Sequence, residues 1–256
     1  MGGLKSFMKK IISIFLTAIM CLSVFTGCGR GLRVYESEYF IYTVDYKNEE
    51  ISILGLTDKG REQEYLVVPE KIDGKDVVEL TYDDYKAGEI EKKFGDKKYS
   101  GVQSDDIKKM FVVPTVAVKS GRFFQYVKDC IEVFYVSNEV RLQDNLQHYT
   151  YYYTNYNVEY NRRSEGIAAN ISYYYNYEQA PNDGYYWIDN CGYGGKIEYI
   201  PPIPERDGYA FDGWYKESEC VNIWDFEADA LPESQVDDKG QEIYQETKLY
   251  AKWIKN

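Results

Sequence analysis

I-P-P-I-P-E-R-D-G-Y-A-F-D-G-W-Y, residues 200–215, is the stretch that decides the fold. Pro201, Pro202 and Pro204 cannot donate to a sheet ladder, so they predict a stiff, edge-like entry to a strand. Beyond them, Tyr209, Phe211 and Gly213 fall on one face of that strand and Ala210 and Asp212 on the other. Trp214 and Tyr215 bring large apolar area to a point where the chain turns. The stretch predicts a small β-module built on aromatic residues, with no catalytic apparatus in it.

Two further segments complete the pattern. Trp224-Asp225-Phe226 comes soon after Gly213-Trp214-Tyr215, and the sequence runs on to Leu249-Tyr250-Ala251-Lys252-Trp253. The order G-Y-x-F-x-G-W-Y, W-D-F, L-Y-A-K-W resembles the internalin-type B-repeat family, the Listeria–Bacteroides repeats, over 169–254. The resemblance implies a compact β-grasp-like module carried on secreted, surface-attached proteins. Ile171 is expected to begin its first strand, and Tyr185-Tyr186-Trp187 to form its second after the turn Pro181–Gly184. Between Leu231 and Thr247 a polar insert departs from the pattern and is expected to lie on the surface as a loop.

Upstream, Phe40, Tyr42, Val44 and Tyr46 alternate with Ile41, Thr43 and Asp45, and Ile51, Ile53 and Gly55 alternate after a polar turn. The two runs predict a hairpin. Leu66-Val67-Val68-Pro69, Phe111-Val112-Val113-Pro114 and Phe134-Tyr135-Val136-Ser137 share one pattern, with Val68, Val113 and Val136 spaced 45 and 23 residues apart. A period of about 22–23 residues lies in the leucine-rich-repeat range, where one strand per turn stacks into a solenoid. Val67 to Lys75 followed by Val77-Val78-Glu79-Leu80 resembles the BspA-like class of those repeats, with degenerate copies over 52–141. That class occurs in bacterial surface and adhesion proteins, and the sheet of such an array is its usual contact surface. The charged run after Leu80 fits the repeat poorly.

At the N-terminus, Lys5, Lys9 and Lys10 precede an apolar run from Ile11 to Phe25 that is short for a membrane span and suits a signal peptide. It ends Phe25-Thr26-Gly27-Cys28, which resembles the bacterial lipoprotein cleavage box. The resemblance implies that Cys28 carries a diacylglyceryl group, whose two palmitate-type acyl chains suffice for stable anchoring. The expected organisation is mainly β: a signal peptide over 1–27, a tether over 28–34, a degenerate leucine-rich-repeat-like β domain over 35–145, a Tyr-rich linker over 146–168 and the B-repeat-like module over 169–256.

The net charge is −12, and removal of residues 1–27 takes away three lysines and no acid. Such a surface repels phosphate backbones, so nucleic acid is excluded as a partner, and membrane attachment is expected only through lipid on Cys28, on the extracellular face of a bacterial membrane. Cys130, Cys191 and Cys220 would remain in the mature chain, an odd number; Cys191 and Cys220 could pair, although three free thiols are favoured. One histidine, His148, excludes two-histidine zinc sites. Asp83-Asp84, Asp105-Asp106 and Asp237-Asp238 are adjacent acids in polar context and read as solvated charge. No catalytic residue, metal or cofactor is expected. The chain reads as a non-enzyme that mediates protein–protein or adhesive contact.

The chain has 28 tyrosines, clustered at 149–160 and 173–177. Tyr152, Tyr153, Tyr174 and Tyr175 are therefore the candidate ligand-binding residues, for a protein or, in the alternative reading, a glycan. The competing structural reading makes the same rings strand formers that cover a sheet between two domains.

Overall fold

A computed structural model describes residues 32–113, 115–118, 121–124, 131–135, 149–153, 166–167 and 169–256. The strands in chain order are β1 (Val34–Glu36), β2 (Phe40–Asp45), β3 (Glu50–Leu56), β4 (Tyr65–Val68), β5 (Lys71–Ile72), β6 (Lys75–Leu80), β7 (Lys109–Val112), β8 (Ala117–Val118) and β9 (Ile131–Tyr135). They continue as β10 (Tyr149–Tyr153), β11 (Gly166–Ile167), β12 (Ile171–Tyr174), β13 (Tyr185–Asp189), β14 (Tyr209–Tyr215), β15 (Gln235–Val236), β16 (Glu242–Ile243) and β17 (Thr247–Lys255). The protein is mainly β, as its alternating patterns predict.

The expected hairpin is β2–β3, closed by the Asp45 carboxylate accepting from the Lys47 N–H at 2.9 Å. Strands β3, β6 and β8 then stack in parallel, while β4, β7, β9, β10 and β11 form a second, wholly parallel sheet in the order β11-β10-β9-β7-β4. Parallel neighbours need crossover connections. One of them contains the charged run that fitted no repeat: it is the helix Asp84–Phe94, capped by the Asp83 carboxylate on the Lys86 N–H and ended by Gly95 at φ 76°. Its Ile90 packs with Val34, Ile41 and Leu54.

Register corrects the sequence alignment. Phe111 does sit beside Phe134, but Leu66 pairs with Met110, one residue off the expected match. A slip of one residue exchanges the two faces of a strand. Leu66, Val68, Met110, Val112 and Val133 therefore point into the first core with Ile51, Ile53 and Phe123. Val67, Phe111, Phe134 and Tyr152 form a cross-strand row on the opposite face. The sheet also runs on into the segment read as a linker, because Tyr149–Tyr153 and Gly166–Ile167 add β10 and β11 to it. The Tyr-rich sequence there is strand-forming sequence.

The C-terminal sheet has the order β13-β12-β17-β14, with β12 and β17 parallel at its centre and antiparallel partners outside, the arrangement expected of a β-grasp-like module. Strand β12 begins at Ile171 and β13 at Tyr185, as the sequence predicts. The alternation read for β14 holds through Asp212 and then breaks. Register shifts between Phe211 and Gly213, where Gly213 takes φ 127°, so Trp214 and Tyr215 are both buried. The Pro-rich entry forms no strand; Tyr186 Oη donates to the Pro202 carbonyl at 2.8 Å, and the Arg206 guanidinium lies 3.7 Å and 4.2 Å from the rings of Tyr209 and Tyr177. The polar insert is an exposed two-stranded ribbon, β15–β16, and not an irregular loop.

The outer face of the parallel sheet is covered by this module. Phe111 packs 4.7 Å from Trp187 and 4.8 Å from Tyr199, and the Tyr65 ring lies 5.5 Å from Tyr199 while its hydroxyl donates to Glu198 at 2.9 Å. The two β-parts thus share one core. Truncating Phe111 to Ala removes the centre of that core and is expected to cost about 3–5 kcal/mol in denaturant unfolding. A loss below about 1 kcal/mol would mean the seam contributes little. Gly55 passes so close to the Tyr99 carbonyl that an added Cβ would lie 1.7 Å from its oxygen. Gly55→Ala is therefore expected to lose at least about 1–3 kcal/mol, read as a lower melting temperature.

Candidate functional site

The tyrosines proposed as ligand-binding residues do not form one surface. Tyr152 is buried, its ring stacked 4.7 Å from Phe134 and its hydroxyl donating to Glu132 at 2.6 Å while accepting from Asn190 Nδ2 at 3.2 Å. It is part of the seam and offers no ring face to a ligand. Tyr153 is the last residue of β10, and its side chain lies outside the described residues, as do Cys28, Cys130 and His148. Tyr174 and Tyr175 are neighbours in an extended segment and point to opposite sides. Tyr175 meets Tyr177 and Tyr186 edge-on at 5.7 Å and 5.1 Å, and burial pushes its phenol up to about 12.

Tyr174 belongs to a different arrangement. Register places Tyr185 of β13, Tyr174 of β12, Tyr250 of β17 and Tyr215 of β14 in one row across all four strands. The row lies on the side of the sheet away from the seam, since the alternate residues Tyr173 and Leu249 are fully buried in the shared core. Tyr174 and Tyr250 stack at 5.4 Å with 19° between their planes, and Tyr174 meets Tyr185 at 4.7 Å. Burial, then the hydrogen bond with Tyr185, raises the Tyr174 phenol well above its ordinary range, so it is neutral at physiological pH. Lys248 Nζ lies 5.9 Å from the Tyr174 ring, and Lys252 donates to the Tyr215 hydroxyl at 3.1 Å and pairs with Asp212 at 3.3 Å. Tyr185, Tyr174 and Tyr250 are half-buried beside Lys248, and Tyr215 is buried at the end of the row beside Lys252.

The remaining polar features have structural work. Asp84 pairs with Arg122 at 2.7 Å, and Asp237 accepts from the N–H groups of Lys239 and Gln241, each at 2.8 Å, to close the ribbon turn. Cys191 and Cys220 are free thiols. Among the described residues no group of three or more His, Cys, Asp or Glu could hold a metal ion. Sequence reading did miss one pair: Lys109 on β7 and Asp189 at the end of β13, buried and 2.9 Å apart across the seam. Eighty positions separate them, and only the presence of a charge inside each apolar strand run signals either.

The strand order and the tyrosine row coincide with the segment carrying the aromatic motifs. Residues 156–252 match the family model of the Listeria-Bacteroides repeat domain. This repeat domain is a type found on bacterial surface proteins. It supplies all four strands of the C-terminal sheet, including most of β17, and so every tyrosine of the row. No curated protein and no solved structure matches the chain.

Within the repeat domain the stacked pair is expected to couple energetically. Tyr174→Ala and Tyr250→Ala, made singly and together, should show a coupling of about 0.5–1.5 kcal/mol in urea unfolding. Additive losses would mean that the two rings stand independently.

Proposed function

We propose that this chain is a lipid-anchored bacterial surface protein whose task is non-catalytic contact with another protein, made by the tyrosines Tyr185, Tyr174 and Tyr250 of the row. In this reading Cys28 carries the lipid, and the parallel strand stack is a leucine-rich-repeat-like spacer whose customary contact face is taken up by the repeat domain. The observation that carries the reading is the row itself: in-register tyrosines of which Tyr185, Tyr174 and Tyr250 stay partly exposed, with the Tyr174 phenol raised by burial. Tyrosine supplies large contact area with little rotamer entropy to lose, and its hydroxyl tolerates both wet and dry states.

Glycan binding is the weaker alternative. A sugar ring stacks on an open aromatic face, and here the faces of Tyr174 and Tyr250 are turned to each other. The ring edges and hydroxyls that remain suit a peptide surface better.

The test uses the mature chain as bait on envelope and host-surface extracts, beside a variant carrying Tyr174→Ala and Tyr250→Ala. The expected result is a specific protein retained by the wild type and lost at least about tenfold by the variant, with circular dichroism unchanged. Equal capture by both would rule the row out as the contact surface, and variant-sensitive binding on a glycan array would favour the alternative. Cys28→Ser is expected to abolish labelling with a fatty-acid analogue and to release the chain from the membrane fraction.

A further inference from the structure

Lys109 and Asp189 are the two buried charges that face each other across the seam; the Lys109 side chain is 7% exposed and that of Asp189 0%. Lys109 Nζ stands 2.9 Å from Asp189 Oδ1, donates to the Asn190 carbonyl at 2.6 Å, and lies 4.0 Å from Glu132 Oε2. The Phe134 ring centroid is 5.6 Å away, and Phe111, Tyr173 and Trp187 belong to the same apolar cluster. We propose that Lys109 Nζ and the Asp189 carboxyl condense into an amide, a covalent cross-link between the parallel sheet and the repeat domain, with Glu132 carrying the protons.

The reaction requires an uncharged amine and a protonated acid, a combination that water disfavours. Burial changes the balance. It pushes the Asp189 carboxyl up to about 6 against the pull of Lys109, and it opposes the charge on Lys109, although the facing carboxylate more than restores that charge. Transfer of one ammonium proton through Glu132 to Asp189 Oδ2, the oxygen without a hydrogen-bond partner among the described residues, leaves a neutral pair, which an apolar site tolerates far better than two ions. The nitrogen lone pair then attacks Asp189 Cγ and forms the C–N bond. Negative charge develops on Oδ1, where the Asn190 N–H already donates at 2.7 Å. Glu132 takes a second proton from the nitrogen and delivers it to the Oδ2 hydroxyl, the Cγ–Oδ2 bond breaks as Oδ1 returns to a carbonyl, and one water leaves. Nothing is oxidised or reduced, and no further reactant is consumed. Oδ2, the departing oxygen, has no hydrogen-bond partner among the described residues. Tyr152 is a positioning residue, its hydroxyl holding Glu132 Oε1 at 2.6 Å. Fixing amine and acid in one dry site gives effective concentrations of about 10⁵–10⁸ M, which is what lets the condensation proceed unaided.

The test is mass analysis of the full chain, unfolded, reduced and digested with trypsin. The expected product is a branched peptide in which the segment starting at Lys109 is joined to the one holding Asp189. It should be one water lighter than the two parts, with no cleavage after Lys109. Glu132→Gln, folded by circular dichroism, should condense about a hundredfold more slowly and yield both linear peptides. Tyr152→Phe should slow the reaction less while keeping the same product. Wild-type protein that gives only linear peptides would overturn the proposal and leave an ion pair, as would a water loss that maps to a cyclic imide at Asp189. Condensation of Glu132→Gln at the wild-type rate would overturn the role given to Glu132.

Discussion

The contact of Phe111 with Trp187 and Tyr199 fixes the rest of the molecule. It closes the outer face of the parallel sheet with the repeat domain, so that a surface which would otherwise be open to a partner becomes interior. The same contact sets which face of the C-terminal sheet stays outside. Trp187, Tyr173 and Leu249 turn toward the seam, and period-two alternation then sends Tyr174, Tyr250 and Tyr215 the other way. Lys109 and Asp189 sit within this aromatic enclosure, whose dryness governs their chemistry.

The abundance of tyrosine has two explanations in one chain. Tyr152 and Tyr173 spend their rings on cores, and Tyr65 joins them with its hydroxyl reaching Glu198 at the rim. Tyr174, Tyr185 and Tyr250 line up half-buried in one row, where their rings meet one another. An amphipathic ring serves both purposes, which explains why tyrosine density in the sequence does not by itself mark a site.

Much of the architecture is legible in the residues. The alternation of Phe40–Tyr46, the motifs around Gly213-Trp214-Tyr215 and the start of the module at Ile171 all correspond to strands. The near-23-residue spacing corresponds to a real parallel pairing of Phe111 with Phe134. What escaped reading depends on register and on long-range packing. The Leu66–Met110 pairing is one residue from the motif alignment, because Val-Val-Pro repeats look alike in either register. The bulge at Asp212 depends on Gly213 taking a left-handed φ, which its sequence permits without requiring. The helix Asp84–Phe94 hid in a charged run because only Ala87 and Ile90 of it are buried. The candidate site was legible only in part: Tyr174 lies in the row, whereas Tyr152 is core; Tyr250 and Tyr215 read as module motifs and not as partners of Tyr174, and the pairing of Lys109 with Asp189 depends on packing across eighty positions.

Joining two β-parts through one seam makes a single cooperative body the central physical claim. Native-state hydrogen exchange on the full chain measures this directly, by comparing the slowest amides of β7 and β9 with those of β12 and β13. Opening with the same free energy and the same denaturant dependence in all four strands is the result this structure requires. Exchange of β12 and β13 through an opening that leaves β7 and β9 protected would show two independent domains, and would contradict it.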